Sequence, residues 1–155
     1  MVNIRVAAQT DLPFLRENDS HIAAEELASV VQRGRILLAE HKDEAEHNDA
    51  PIGWLRWGLF WDEIPFMNML TVLTSNRGQG TGRALVTYWE KQMSRAGYSR
   101  VLTSTLSDES AQNFYRAMGY TDAGVLLLPG ESSELFLLRD LGTAPNLPDP
   151  HITRQ

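Results

Sequence analysis

An α/β domain is the fold class this sequence predicts. The first observation is a strand pattern, Phe66 to Leu73, that empties into the turn Asn76-Arg77-Gly78-Gln79-Gly80-Thr81-Gly82 and reopens as a helix. The second is that six more strand-like segments and three more helical ones are interspersed along the chain. The third is length: 155 residues suffice for one domain with a sizeable core, and no shift in composition suggests a second.

In chain order, Asn3 to Val6 alternates as a short strand, and Thr10-Asp11 offers a helix start with Pro13 inside the first turn, the helix running through Arg16 or Asn18. From His21 to Gln32 the apolar positions Ile22, Ala23, Leu27, Val30 and Val31 recur at helical spacing, and Gly34 supplies a stop. Arg35 to Glu40 is the second strand. The polar, acidic stretch His41 to Ala50 reads as a mobile loop, and its His41 and His47 as solvated turn residues, not metal ligands. Ile52 to Trp61 is the third strand, with Trp54, Arg56 and Phe60 on one side and Leu55, Trp57, Leu59 and Trp61 on the other. Asp62-Glu63-Ile64-Pro65 turns it back into the fourth strand, apolar on both faces as a central strand is. The helix after the glycine turn carries Leu85, Trp89, Met93 and Ala96 on one stripe and stops at Gly97. Arg100 to Leu106 is a fifth strand. Ser107-Asp108-Glu109 then caps a short helix with Ala111, Phe114, Tyr115 and Met118 on its inner face. Strands at Tyr120 to Leu128 and Ser133 to Leu138 are split by Pro129-Gly130. The domain is read as residues 1–141. Residues 142–155, with Pro145, Pro148 and Pro150, read as an extended or disordered tail.

Composition narrows the partners. A formal net charge of -6 argues against nucleic acid or an anionic membrane and suits a cationic partner such as an amine. With Cys 0 there is no disulfide framework, no thiolate metal site and no cysteine acyl-enzyme. The start lacks an apolar signal core and no run is long enough to span a bilayer, so a soluble cytoplasmic protein is expected.

A strand, a glycine turn and a helix start aim several backbone N–H groups at one spot, which favours an anion. Arg77 before the helix and Arg83 inside its first turn reinforce that sign. A dinucleotide fingerprint fails in both registers, because the last glycine position falls on Arg83 or Leu85. A nucleotide P-loop fails because Gly82 is followed by Arg83-Ala84. What remains, Arg77-x-x-Gly80-x-Gly82, resembles the acyl-CoA pyrophosphate loop of the GNAT superfamily of N-acyltransferases. Ala111-x-x-Phe114-Tyr115 ahead of Gly119-Tyr120 is similar to that superfamily's second motif, with Asp108 where Asn is usual and Thr74 where Pro is usual.

The resemblance covers roughly residues 3 to 140. It implies a twisted, mixed, mostly antiparallel sheet of six to seven strands with helices on both faces, its fourth and fifth strands splayed around the pantetheine arm of acetyl-CoA. The cofactor residues would be Leu70 and Val72 on the fourth strand, then Arg77, Gly78, Gln79, Gly80, Thr81, Gly82 and Arg83. The activity implied is acetyl transfer to an amine, on a small molecule or a peptide N-terminus. Tyr115 would protonate the departing thiolate, its ordinary pKa of about 10 keeping it protonated at neutral pH. Glu63 is the candidate base, directly or through water, and a backbone N–H near Val72 would hold the oxyanion. His21, Glu25, Trp57, Phe60, Trp61 and Asp62 are candidate acceptor walls. Without a cysteine, and with no persuasive Ser and His arrangement, direct attack in a ternary complex is expected. The alternatives are a non-catalytic acyl-CoA sensor or structural domain of the same fold, and an unrelated α/β binding domain.

Overall fold

The computed structural model describes residues 2–42 and 50–142. These run as β1 (Val2–Val6), α1 (Leu12–Asn18), α2 (Ala24–Gln32), β2 (Ile36–His41), β3 (Pro51–Phe60), β4 (Ile64–Val72), α3 (Thr81–Arg95), β5 (Arg100–Leu106), α4 (Ala111–Ala117), β6 (Thr121–Leu126) and β7 (Glu134–Asp140). The strands form one sheet in the order β1-β2-β3-β4-β5-β7-β6. Each neighbouring pair is antiparallel except β4 with β5, which is parallel, so the sheet is mixed and mostly antiparallel as expected. Among the described residues no helix is long and apolar enough to cross a membrane. His47 and the tail from residue 143 lie outside them.

Two cores explain why β2 is apolar at nearly every position. Ile36 and Leu38 face one way and pack with Leu12, Leu15, Leu27, Val30 and Val31 from α1 and α2. Leu37 and Ala39 face the other way and pack with Leu85, Val86, Trp89 and Met93 from α3 and with Tyr115 and Met118 from α4 or just after it. Period-2 alternation therefore fills both faces of a central strand.

Several boundaries move. The helix expected from His21 starts at Ala24, because Asp19 turns inward and its carboxylate accepts from the backbone N–H of His21. His41 ends β2 rather than opening a loop, its Nε2 3.0 Å from the Asn76 amide nitrogen. Trp61 is not in β3: it and Asp62 form a left-handed turn, φ 55° and 60°. Ala96 is an exposed helix end, and Val86 joins the buried stripe instead. Ser110, not Asp108, precedes α4, and Asp108 accepts from Ser132 Oγ at 2.8 Å.

Two irregularities shape the middle of the sheet. β3 and β4 slip register between Arg56 and Trp57: Arg56 faces Met69 while Trp57 faces Met67, leaving Asn68 as the extra residue of a bulge. β4 and β5 are paired only at Phe66↔Leu102 and Met67↔Thr103, although β4 runs on to Val72 and β5 to Leu106. Beyond Met67 the two strands part, and each keeps its other neighbour, β3 or β7.

Candidate active site

The gap between β4 and β5 ends in a cavity of about 290 Å³ lined by Leu70, Thr71, Val72, Arg77, Gly82 and Phe114. Gly82 forms part of its wall for a spatial reason: a Cβ there would stand 3.8 Å from Phe114 Cζ and from Val72 Cγ2. Gly80, the residue before α3, is needed for its backbone, since φ is 83° and left-handed conformations cost other L-residues roughly 1–2 kcal/mol. Space beside Gly78 and Gly80 is open.

The first α3 bond into the turn is Ala84 N–H to Gly80 O, so the N–H groups of Thr81, Gly82 and Arg83 precede the helical ladder. No side chain caps them and the first turn holds no acidic residue. Arg83 and Gln79 are exposed beside them, while Arg77 donates through Nε to Val72 O at 2.9 Å and is tied to the end of β4. Thr81 is buried, its Oγ1 without a partner among the described residues. These are the features an acyl-CoA pyrophosphate requires, and the residues fit it.

Tyr115 stands where the strands begin to part. The Thr103 side chain lies near its phenol, and Thr103 Oγ1 donates to Met67 O at 3.1 Å, so Tyr115 neighbours the last paired rung. Burial pushes its pKa up to about 12, with Thr103 opposing and the Glu109 charge adding to the rise. Thr103, Thr105 and Glu109, whose Oε2 accepts from Thr105 Oγ1 at 3.3 Å, were not singled out from sequence. Their only signal was alternation, which places residues 103 and 105 on one face of β5.

A second cavity, about 600 Å³, lies between α2 and the β3–β4 hairpin and reaches Asn68 at the bulge. Of the expected acceptor walls, Trp57 and Asp62 line it; His21, Glu25, Phe60 and Trp61 do not. Ile22 and Glu26 take the places expected for His21 and Glu25, a shift of one residue along the chain. Phe60 instead stacks on Phe66 and meets Phe136 and Trp61 edgewise or tilted. Glu63 lines neither cavity; it sits in the hairpin turn four residues before Met67, about 13 Å along the strand at some 3.3 Å per residue. Val72 is five residues beyond Met67, about 16 Å by the same spacing, and so belongs to the glycine-turn end of the gap. Beneath the larger cavity, Arg56 Nε donates to buried Asp19 Oδ2 at 2.9 Å and Trp54 Nε1 to the same oxygen at 3.3 Å, a pairing the sequence did not announce. Among the described residues there is no group of three or more metal-ligating side chains.

Comparison with known proteins agrees with this geometry. No curated protein matches the chain in sequence. Among solved structures, yncA from Salmonella typhimurium with its cofactor acetyl-CoA aligns at TM-score 0.74 and 17% identity, over 97% of this chain and 99% of that one. The ribosomal-protein-S18-alanine N-acetyltransferase from Escherichia coli aligns at 0.71 and 17%, over 96% and 100%. A GNAT-family acetyltransferase from Bacillus cereus aligns at 0.71 and 18%, over 90% and 97%. At such identities the likeness establishes the fold. The family model for the acetyltransferase (GNAT) domain matches residues 32–122, more than half of the sequence and inclusive of β4, the glycine turn and Tyr115, and the chain therefore belongs to the GNAT acetyltransferase family.

Proposed function

We propose that this protein is an N-acetyltransferase that moves an acetyl group from acetyl-CoA to an amine by direct attack in a ternary complex. The observation that carries the reading is that the uncapped start of α3 and the part of β4 that has left β5 line one cavity, with Phe114 on its wall and Tyr115 packed against Phe114. Bound acetyl-CoA supplies an activated thioester. The N–H groups of Thr81 to Arg83 hold its pyrophosphate with Arg83 beside them, and the open β4 edge at Leu70 and Val72 offers backbone groups to the amides of the pantetheine arm. The reacting end lies near Met67 and Asn68, which moves the oxyanion donor from Val72 to the bulge next to Tyr115. Tyr115, protonated at neutral pH, donates to the thiolate. The amine arrives through the larger cavity, where Asp62 and Glu26 are better placed than Glu63 to take its proton. That one solved neighbour of the fold is named with acetyl-CoA as its cofactor and another as a ribosomal-protein-alanine N-acetyltransferase supports both the donor and an amine acceptor.

The position of Glu63 favours one other reading, a domain that binds acyl-CoA without turnover. A mass-spectrometric screen of amines with acetyl-CoA separates the two: an acetylated amine is expected, and CoA binding without product from any amine favours the sensor. On an active acceptor, initial rates with both substrates varied should give intersecting lines, and the intact protein should gain no mass from acetyl-CoA alone. An adduct that discharges on adding amine overturns direct transfer.

A further inference from the structure

The larger cavity contains charges of both signs that the protein itself leaves unmatched. Of its three arginines, Arg56 is neutralised by Asp19. Arg33 and Arg35 have no carboxylate partner among the described residues, and neither do Glu26 and Asp62 have a cation. Arg35 is nonetheless held in place, its guanidinium 5.2 Å from the centroid of the Trp57 ring. Two uncommitted arginines on one wall are conspicuous in a chain with 20 acidic and 14 basic residues, where a carboxylate partner is easily found. They are also separate from the cofactor's own cations, because Arg77 and Arg83 belong to the glycine turn and Arg33 and Arg35 to the turn between α2 and β2.

Resting on the acceptor side assigned above, we propose that the acceptor is a small zwitterion, an amino acid or similar amino carboxylate, whose carboxylate is held by Arg33 and Arg35. A guanidinium fork matches a carboxylate in two parallel hydrogen bonds, which a neutral amide or a bare alkyl amine cannot reproduce. The arginines lie at the start of β2 and Asn68 at the bulge, so a ligand spanning the cavity places its amine toward the gap and its anion away from it. Glu26 and Asp62 face the same space and complement the ammonium before it loses its proton. A volume of about 600 Å³ accommodates a whole amino acid with its side chain.

The test uses the twenty amino acids, their primary amides and the matching decarboxylated amines as acceptors with acetyl-CoA, alongside calorimetric titration of the same compounds into protein saturated with CoA. At least one amino acid should exceed its amide tenfold or more in kcat/KM or affinity. Arg33→Gln and Arg35→Gln should each shrink that ratio, and the double variant should bring it near one with CoA affinity unchanged. Arg35→Lys, which keeps charge without the fork, should recover part of it. Amides and decarboxylated amines used as well as the acids overturn the inference while transfer itself stands, as does a double variant that keeps the preference. Amino-acid binding without any turnover overturns the acceptor role together with the enzymatic reading; no binding by any acid removes the inference, and the separate CoA titration shows whether the function falls with it.

Discussion

Tyr115 combines two demands that rarely coincide on one side chain, since its ring packs between Phe114 and Tyr120 while its hydroxyl lies near Thr103 at the seam. Tyr115→Phe keeps the ring and removes the proton. Single-turnover rates should then fall by roughly a hundredfold or more, the range of general-acid contributions, while CoA affinity holds and stability stays within about 1 kcal/mol of the parent. A variant as fast as the parent sinks the assignment. Because the phenol is raised to about 12, the parent should not lose this acid as pH rises through 10; the stability tied to its protonated form is likewise complete below 10 and lost only as pH passes about 12. Tyr115 stands out in the sequence because its neighbours Ala111, Phe114 and Gly119 sit at motif spacing. Glu63, expected as the base, lines neither cavity, and a turn carboxylate gives no sequence cue to its direction; Asp62 beside it lines the larger one.

At the scale of the strand, turn and helix, three glycines that look alike in the sequence work differently. Gly78 and Gly80 supply left-handed backbone, whereas Gly82 has ordinary helical backbone and supplies room beside Val72 and Phe114. Gly82→Val should therefore fold with a melting temperature within a few degrees of the parent yet lose CoA affinity tenfold or more, as its branches enter the cavity. Arg83→Ala, which removes only an exposed charge, should weaken binding by a smaller factor. Calorimetric titration with CoA reads both, and an unchanged affinity for the valine variant removes the cofactor loop from the functional reading. The turn could be read from the chain because glycine spacing encodes backbone freedom directly. The bulge at Asn68 could not, because a register slip depends on a partner strand that no local pattern specifies.

Across the whole molecule, the strands were legible one by one, but the insertion of β7 between β5 and β6 was not, since strand order is a property of long-range pairing. Nor was the contact it makes between Arg139 and Glu90, which joins the next-to-last strand of the sheet to α3. Burial raises the Glu90 carboxyl above its ordinary 4.5 in spite of Arg139, and Oε1 has no partner among the described residues. The folded state thus holds this proton more tightly than the unfolded chain. Its contribution to stability grows as pH falls from neutrality and is complete below about 4.5. Asp11, lowered by Arg5, acts in a separate window, its contribution lost as pH drops below 3.8. Urea unfolding between pH 7 and 4.5 should show a slope that Glu90→Gln flattens; parallel curves for parent and variant would falsify the assignment.

The core beneath α1 and α2 draws its buried members from Ala7 to Trp54, and the partly buried residues that complete it reach only to Leu73. Everything required to close it has been synthesised before the glycine turn is translated. The other core needs Leu137 and hence nearly the whole chain. A ribosome adding about 5–20 residues per second therefore supplies the last residues of this core several seconds before it supplies those of the other, so one face of the sheet is complete in sequence while the other still awaits its cover.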